Sequence, residues 1–115
     1  MVKIYHNTRC SKSRGACQIL NDHKIEAEVI EYLKTPPTES EIREILEKLD
    51  MKPFEIVRKT EDLYRNNFAG NKYSESEWIK ILSENPILIE RPIIVHGNKA
   101  VIGRPPERVL ELFND

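Results

Sequence analysis

Two strand-like runs near the N-terminus, residues 2–5 and 27–33, are separated by a periodic apolar stretch over about 13–23, and this constrains the fold more than any other feature. Strands joined through a helix cannot form a tight hairpin. The crossover brings the second strand back parallel to the first, so the opening third of the chain reads as a βαβ unit. Pro36-Pro37 closes it.

The middle of the chain reads as helical. Thr38 and Glu41 form a capping-box signature, and Ile42, Ile45, Leu46 and Leu49 recur at helical spacing, which predicts an amphipathic helix over 38–49. A less regular stretch carries Pro53, Phe54, Ile56, Val57 and Arg58. Ser74 with Glu77 repeats the capping signature, and Trp78, Ile81 and Leu82 mark the apolar face of a helix that must end before Pro86.

After Arg91-Pro92, two β-rich runs flank Gly97-Asn98 and predict a hairpin. Arg104-Pro105-Pro106 then leads into Val109, Leu110 and Phe113, where proline suits the first turn of a final helix. The order is βαβ, helices, ββα. The expected class is α/β: a thioredoxin-like fold with a four-stranded mixed sheet, helices on both faces and a helical insertion over about 38–85. Residues 1–115 are expected to form a single domain with one core and no linker.

Lys plus Arg number 18 and Asp plus Glu 19, so no general field draws the chain to nucleic acid or to an anionic membrane. The longest apolar runs are far too short to span a bilayer, and the N-terminal residues carry no apolar signal core. A cytoplasmic location is expected. The two cysteines, Cys10 and Cys17, should then be reduced.

Cys10 sits where a strand gives way to a helix, so unpaired backbone N–H groups and the helix dipole favour a negative charge on it. An unperturbed thiol of pKa about 8.5 is only about 3% ionised at pH 7, and such a setting lowers that pKa toward 7 or below. Arg9, Lys12, Arg14 and His6 are available cations, and Ser11 and Ser13 available donors to sulfur. A buried apolar role is the competing reading for any free cysteine, but the neighbours here are polar.

Cys17 lies seven positions further along the same helix, about 10 Å away, beyond the reach of a disulfide with Cys10. Its apolar neighbours Ala16, Ile19 and Leu20 point to a structural thiol, with a redox accessory role as the alternative. Ser13 stands where a Cys-x-x-Cys motif has its second cysteine, which disfavours intramolecular disulfide exchange. No arginine follows either cysteine at the phosphatase-loop spacing. His6, His23 and His96 complete no metal-ligand pattern, so no metal site is expected. Arg58, Arg91 and Arg104 each border an element end. A single arginine usually has a solvated surface role, but three at junctions suggest a bidentate oxyanion clamp.

With these residues in view, the chain resembles the arsenate reductases of the glutathione- and glutaredoxin-linked type. The resemblance rests on Tyr5-His6-Asn7-x-x-Cys10-x-x-Ser13-Arg14, Glu31-Tyr32-Leu33-x-x-Pro36-Pro37, Ile56-Val57-Arg58-Lys59, Pro86-Ile87-Leu88-Ile89-x-Arg91-Pro92-Ile93 and Arg104-Pro105. It spans essentially the whole chain. It implies that Cys10 attacks arsenate, that Arg58, Arg91 and Arg104 hold the oxyanion, and that glutathione and glutaredoxin resolve the adduct. It further implies that His6 and Ser13 tune the thiolate, that Asn7 and Arg14 support the loop motif, and that Pro92 is a cis-proline beside the nucleophile. Glutathione would be a co-substrate, with no tightly bound cofactor, and the protein is expected to be a monomer. Two departures are the extra cations Arg9 and Lys12, and the absence of the longer C-terminal tail that some members carry. Two other readings compete: a different glutathione-linked thiol oxidoreductase, and a non-enzymatic regulator of the same fold that binds RNA polymerase. The regulator's usual Cys-x-x-Cys switch is missing at Ser13.

Overall fold

The computed structural model describes residues 2–113. The chain divides into two compact units, one built from residues 1–35 and 91–115 and the other from 36–90. The second unit carries buried apolar residues of its own.

In the first unit, β1 (Val2–His6), α1 (Ser11–Asp22) and β2 (Ala27–Glu31) form the βαβ element, and β3 (Ile93–His96) and β4 (Lys99–Ile102) form the hairpin. The sheet order is β2-β1-β3-β4. β1 runs parallel to β2, with Val2 beside Ala27, and antiparallel to β3, with Ile4 beside Ile94. The hairpin turns at Gly97, whose φ of +61° is the left-handed conformation that the first residue of a type II′ loop needs. Alternation along β1 and β3 turns Val2, Ile4 and Ile94 into a core shared with Ala16 and Leu20 of α1 and with Val109 and Leu112. Burial of each large aliphatic side chain stabilises the fold by roughly 1.5–3 kcal/mol.

The last segment, Pro106–Phe113, is a 3₁₀ helix rather than a full α-helix. The turn closes early, with Arg108 N–H donating to the Pro105 carbonyl at 3.0 Å. Its apolar side chains still pack against α1 and β4.

In the second unit, α2 (Glu39–Leu49) and α4 (Glu75–Glu84) both begin with the expected capping boxes. Glu41 N–H donates to Thr38 Oγ1 and Thr38 N–H donates to Glu41 Oε1 at 3.1 and 3.0 Å, and Ser74 and Glu77 repeat this at 3.1 and 2.9 Å. Ile42, Ile45 and Leu46 of α2 are buried, as are Trp78, Ile79 and Leu82 of α4, and the two helices pack together. Ile79, not Ile81, is thus the isoleucine buried on α4. Between them lie a 3₁₀ turn (Pro53–Ile56) and a short helix, α3 (Asp62–Asn67). The unit closes on itself where Arg58 N–H donates to the Leu88 carbonyl and Glu90 N–H to that of Ile56, at 2.6 and 2.8 Å.

Candidate active site

The site grows out of the β1–α1 connection. Cys10 is the N-cap of α1, with extended backbone angles (φ −96°, ψ 121°), so the first helical N–H groups converge on the space beside its sulfur. The loop before it is tied down from several sides. Cys10 N–H donates to the Asn7 carbonyl at 3.0 Å, Arg9 N–H to Asn7 Oδ1 at 2.9 Å, and an Arg14 guanidinium N–H to the Thr8 carbonyl at 2.9 Å. Asn7 is buried, whereas the side chains of Arg9, Lys12 and Arg14 face solvent. Arg14 therefore acts on the loop backbone.

Ser13 is fully buried. Its Oγ accepts the Asn7 N–H at 3.0 Å and lies 2.6 Å from His6 Nδ1. Cys17 Sγ approaches the same ring nitrogen at 3.7 Å. A hydroxyl and a thiol thus converge on one nitrogen, and the arrangement in which both donate puts the ring proton on Nε2. Burial lowers the His6 pKa; Glu31 works against that and Arg14 with it. His6 is therefore a neutral spacer behind the loop.

The sulfur of Cys10 meets a different environment. Burial alone would raise its pKa, but the Ser13 N–H, the Arg91 guanidinium, the Lys12 N–H and the Arg104 guanidinium, in that order, outweigh it, and the pKa is lowered. Sγ closes no N-cap hydrogen bond of full geometry, so the two N–H groups act at somewhat longer range. An Arg104 guanidinium N–H points at Sγ from 3.8 Å. The expected contribution of Ser13 to the thiolate thus comes through its backbone N–H, while its hydroxyl serves Asn7 and His6.

The two arginines are placed by the hairpin. Arg91 precedes β3 and is only 7% exposed, so its charge is held in a poorly hydrated setting. The Arg91–Pro92 peptide is cis, and so is Arg104–Pro105. Arg104 Nε donates to the Arg91 carbonyl at 2.9 Å, and Gly103 N–H donates to the Pro92 carbonyl at 2.9 Å. A Cβ on Gly103 would lie 2.9 Å from Pro92 Cγ and 3.1 Å from Ile94 Cδ1, so only glycine lets β4 run this close to Pro92. That close approach sets where Arg104 leaves the strand.

Arg58 belongs to the helical unit. Its Nε donates to Glu61 Oε1 at 3.1 Å, and a terminal nitrogen lies 3.9 Å from Glu90 Oε1. These two carboxylates hold its half-buried side chain at the end of the segment that follows the Pro53–Ile56 turn.

Tyr32 stands in the motif Glu31-Tyr32-Leu33, but the sequence gives it no role. It follows β2 directly and is 1% exposed. Burial pushes its phenol pKa up to about 12; the Arg91 charge opposes this and a charge on Cys10 reinforces it. In the sequence it looks like one more aromatic at a strand end. Only the burial of its hydroxyl beside these groups sets it apart.

Among the described residues no cluster of His, Cys, Asp or Glu could hold a metal ion, and no helix is long and apolar enough to cross a membrane. The site therefore offers one ionisable sulfur faced by backbone N–H groups and two fixed guanidinium groups. Chemically, that is a nucleophile beside cations of the kind that pair with oxyanions.

The ArsC family matches residues 5–112. The chain is 48% identical over 113 residues to the YfgD protein of Escherichia coli strain K12, described only as uncharacterized, with 96% of this chain and 95% of that protein covered. It is 41% identical over 114 residues to an arsenate reductase of Haemophilus influenzae, covering 97% and 98% of the two chains. The solved structure of an arsenate reductase from Vibrio cholerae superposes with a TM-score of 0.92 at 39% identity, covering 96% of each chain.

Proposed function

Because this chain belongs to the ArsC family and has the thioredoxin-like fold of its solved relatives, we propose that it reduces arsenate to arsenite through a thiol-arsenate adduct on Cys10. The observation that carries this reading is the sulfur itself: a thiol with a lowered pKa at a helix N-terminus, with Arg91 and Arg104 beside it. A thiolate is a strong nucleophile, and guanidinium groups neutralise and orient a tetrahedral oxyanion.

In the first step the Cys10 sulfur bonds to arsenic, an As–O bond breaks and the departing oxygen leaves as water after protonation. Arg91 and Arg104 hold the remaining oxygens, and the N–H groups of Lys12 and Ser13 stabilise the sulfur before attack. The family resemblance assigns Arg58 an oxyanion-holding role as well.

Reduction of As(V) to As(III) takes two electrons, which oxidise two thiols to one disulfide. Cys10 supplies one thiol. Cys17 is a poor second, since burial raises its pKa and its sulfur faces His6. The other thiol comes from glutathione, and glutaredoxin then reduces the mixed disulfide on Cys10. The enzyme works as a cytoplasmic monomer in this scheme, with glutathione as co-substrate.

The test is arsenate-dependent NADPH oxidation in the presence of glutathione, glutaredoxin and glutathione reductase. Wild type should turn over and Cys10→Ser should not. Absence of arsenate-dependent turnover in wild type would refute the proposal.

A further inference from the structure

The mechanism so far leaves one buried polar group unused. The Tyr32 hydroxyl is sealed from solvent and has no hydrogen-bond partner of full geometry in the site as it stands. Buried hydroxyls are nearly always bonded, so an orphan beside a reaction centre calls for a function. The groups that act on this phenol are Arg91, Cys10 and Asn7, which also surround the sulfur or tie down its loop. Arg91 has donors only, and Asn7 Oδ1 already takes the Arg9 N–H. Asn7 Oδ1 keeps a second lone pair, but the phenol closes no hydrogen bond of full geometry on it or on any other group, beside the sulfur where an anion is expected to bind.

We propose that Tyr32 is a substrate-binding residue, whose hydroxyl donates a hydrogen bond to an oxygen of the oxyanion that Arg91 and Arg104 hold against Cys10. The proposal rests on the arsenate reading above and adds a neutral donor to the charged ones. An oxyanion lodged against Sγ brings an acceptor oxygen to a phenol that closes no hydrogen bond of full geometry without it. Burial keeps the phenol protonated throughout the physiological range, so the donor is present at every pH at which the thiolate works. A neutral donor also strengthens the hold on the oxyanion without adding a further positive charge next to the buried Arg91 guanidinium.

The experiment measures protection of Cys10 from iodoacetamide by added arsenate, read by mass spectrometry of the Cys10 peptide, in wild type and Tyr32→Phe. A lost hydrogen bond to a charged acceptor corresponds to roughly a 10- to 100-fold change. The arsenate concentration for half-protection should rise by that factor in Tyr32→Phe, while the pH profile of Cys10 alkylation without arsenate stays in place. Half-protection within twofold of wild type would overturn the assignment of Tyr32 alone. A loss of protection fully accounted for by a shifted Cys10 profile would overturn it too, because Tyr32 would then act on the thiolate. Failure of arsenate to protect wild type would overturn the arsenate reading and this proposal together.

If Tyr32→Phe fails to fold, difluorotyrosine at position 32 keeps the ring and hydroxyl but ionises at lower pH. Protection should then weaken as pH rises through the new phenol pKa. A profile identical to wild type would contradict the proposal.

Discussion

The two ends of the first two turns of α1 hold one cysteine each, and they are opposites. At the N-terminus, Cys10 has backbone N–H groups and two guanidinium groups around its sulfur, which outweigh burial and lower its pKa. Two turns on, Cys17 has the same thiol with no guanidinium set against its burial, and burial raises its pKa. Residue type is constant, so the difference comes from position on the helix and from what the hairpin brings to it. A helix offers unpaired N–H groups at one end only; by the second turn they are spent on the i→i−4 ladder. Arg91 and Arg104, far away in sequence, add charge to the end that is already favourable.

The strongest way to break this comparison is to exchange the roles of the thiols. Cys10→Ser should lower arsenate-dependent turnover by at least about 1,000-fold, as loss of a nucleophile does, whereas Cys17→Ser should stay within about threefold of wild type, because a half-buried thiol of raised pKa contributes little nucleophile. Comparable losses in both variants, measured by coupled NADPH oxidation, would show that Cys17 shares the chemistry.

Removing the charges that distinguish Cys10 should have the next largest effect. Arg91→Ala and Arg104→Ala should each reduce kcat/KM by roughly 10- to 100-fold, the size of a charge-assisted hydrogen bond. Each should also move the alkylation profile of Cys10 to higher pH and leave that of Cys17 where it is. Arg91→Ala should have the larger effect, since its guanidinium is the more buried and influences the sulfur more strongly.

A gentler probe is the alkaline limb of stability. The Tyr32 phenol is held above its unfolded value of about 10. Its contribution is therefore fully present below pH about 10 and is lost as pH rises toward about 12, amounting to at most roughly 2–3 kcal/mol. Denaturant melts of wild type and Tyr32→Phe between pH 9 and 11 should diverge in slope. Parallel curves would remove Tyr32 from the buried site.

The smallest effect concerns His6, which touches Ser13 and Cys17 at once. Its folded pKa lies below the ordinary value of about 6.5, so the stability it contributes is present above that pH and is lost as pH falls through the lower folded value. Replacement by Gln should flatten the acid limb of the melting curve. An unchanged limb would show that His6 is not the group that must stay neutral.

Much of this was readable from residue order because local physics decided it. Thr38 and Ser74 cap helices through bonds only three residues long, and β1 and the hairpin follow short β-rich runs and a Gly-Asn turn. Cys10 was visible as a nucleophile because the helix end beside it is also local. The helix α3 escaped notice because none of its residues is buried, so no apolar stripe marks it. The terminal 3₁₀ segment has the periodicity of an α-helix and differs only in its hydrogen bonding. The burial of Tyr32 beside Cys10 and Arg91 depends on strands and loops meeting across the fold, which no spacing in the sequence encodes.

The central claim is that one of two cysteines on one helix is an activated thiolate. Iodoacetamide alkylation followed separately at Cys10 and Cys17 across pH 5 to 10 tests it most directly. The account predicts a Cys10 midpoint below the free-thiol value of about 8.5 and a Cys17 midpoint above it. Coincident midpoints, or a Cys10 midpoint at or above that value, would contradict it.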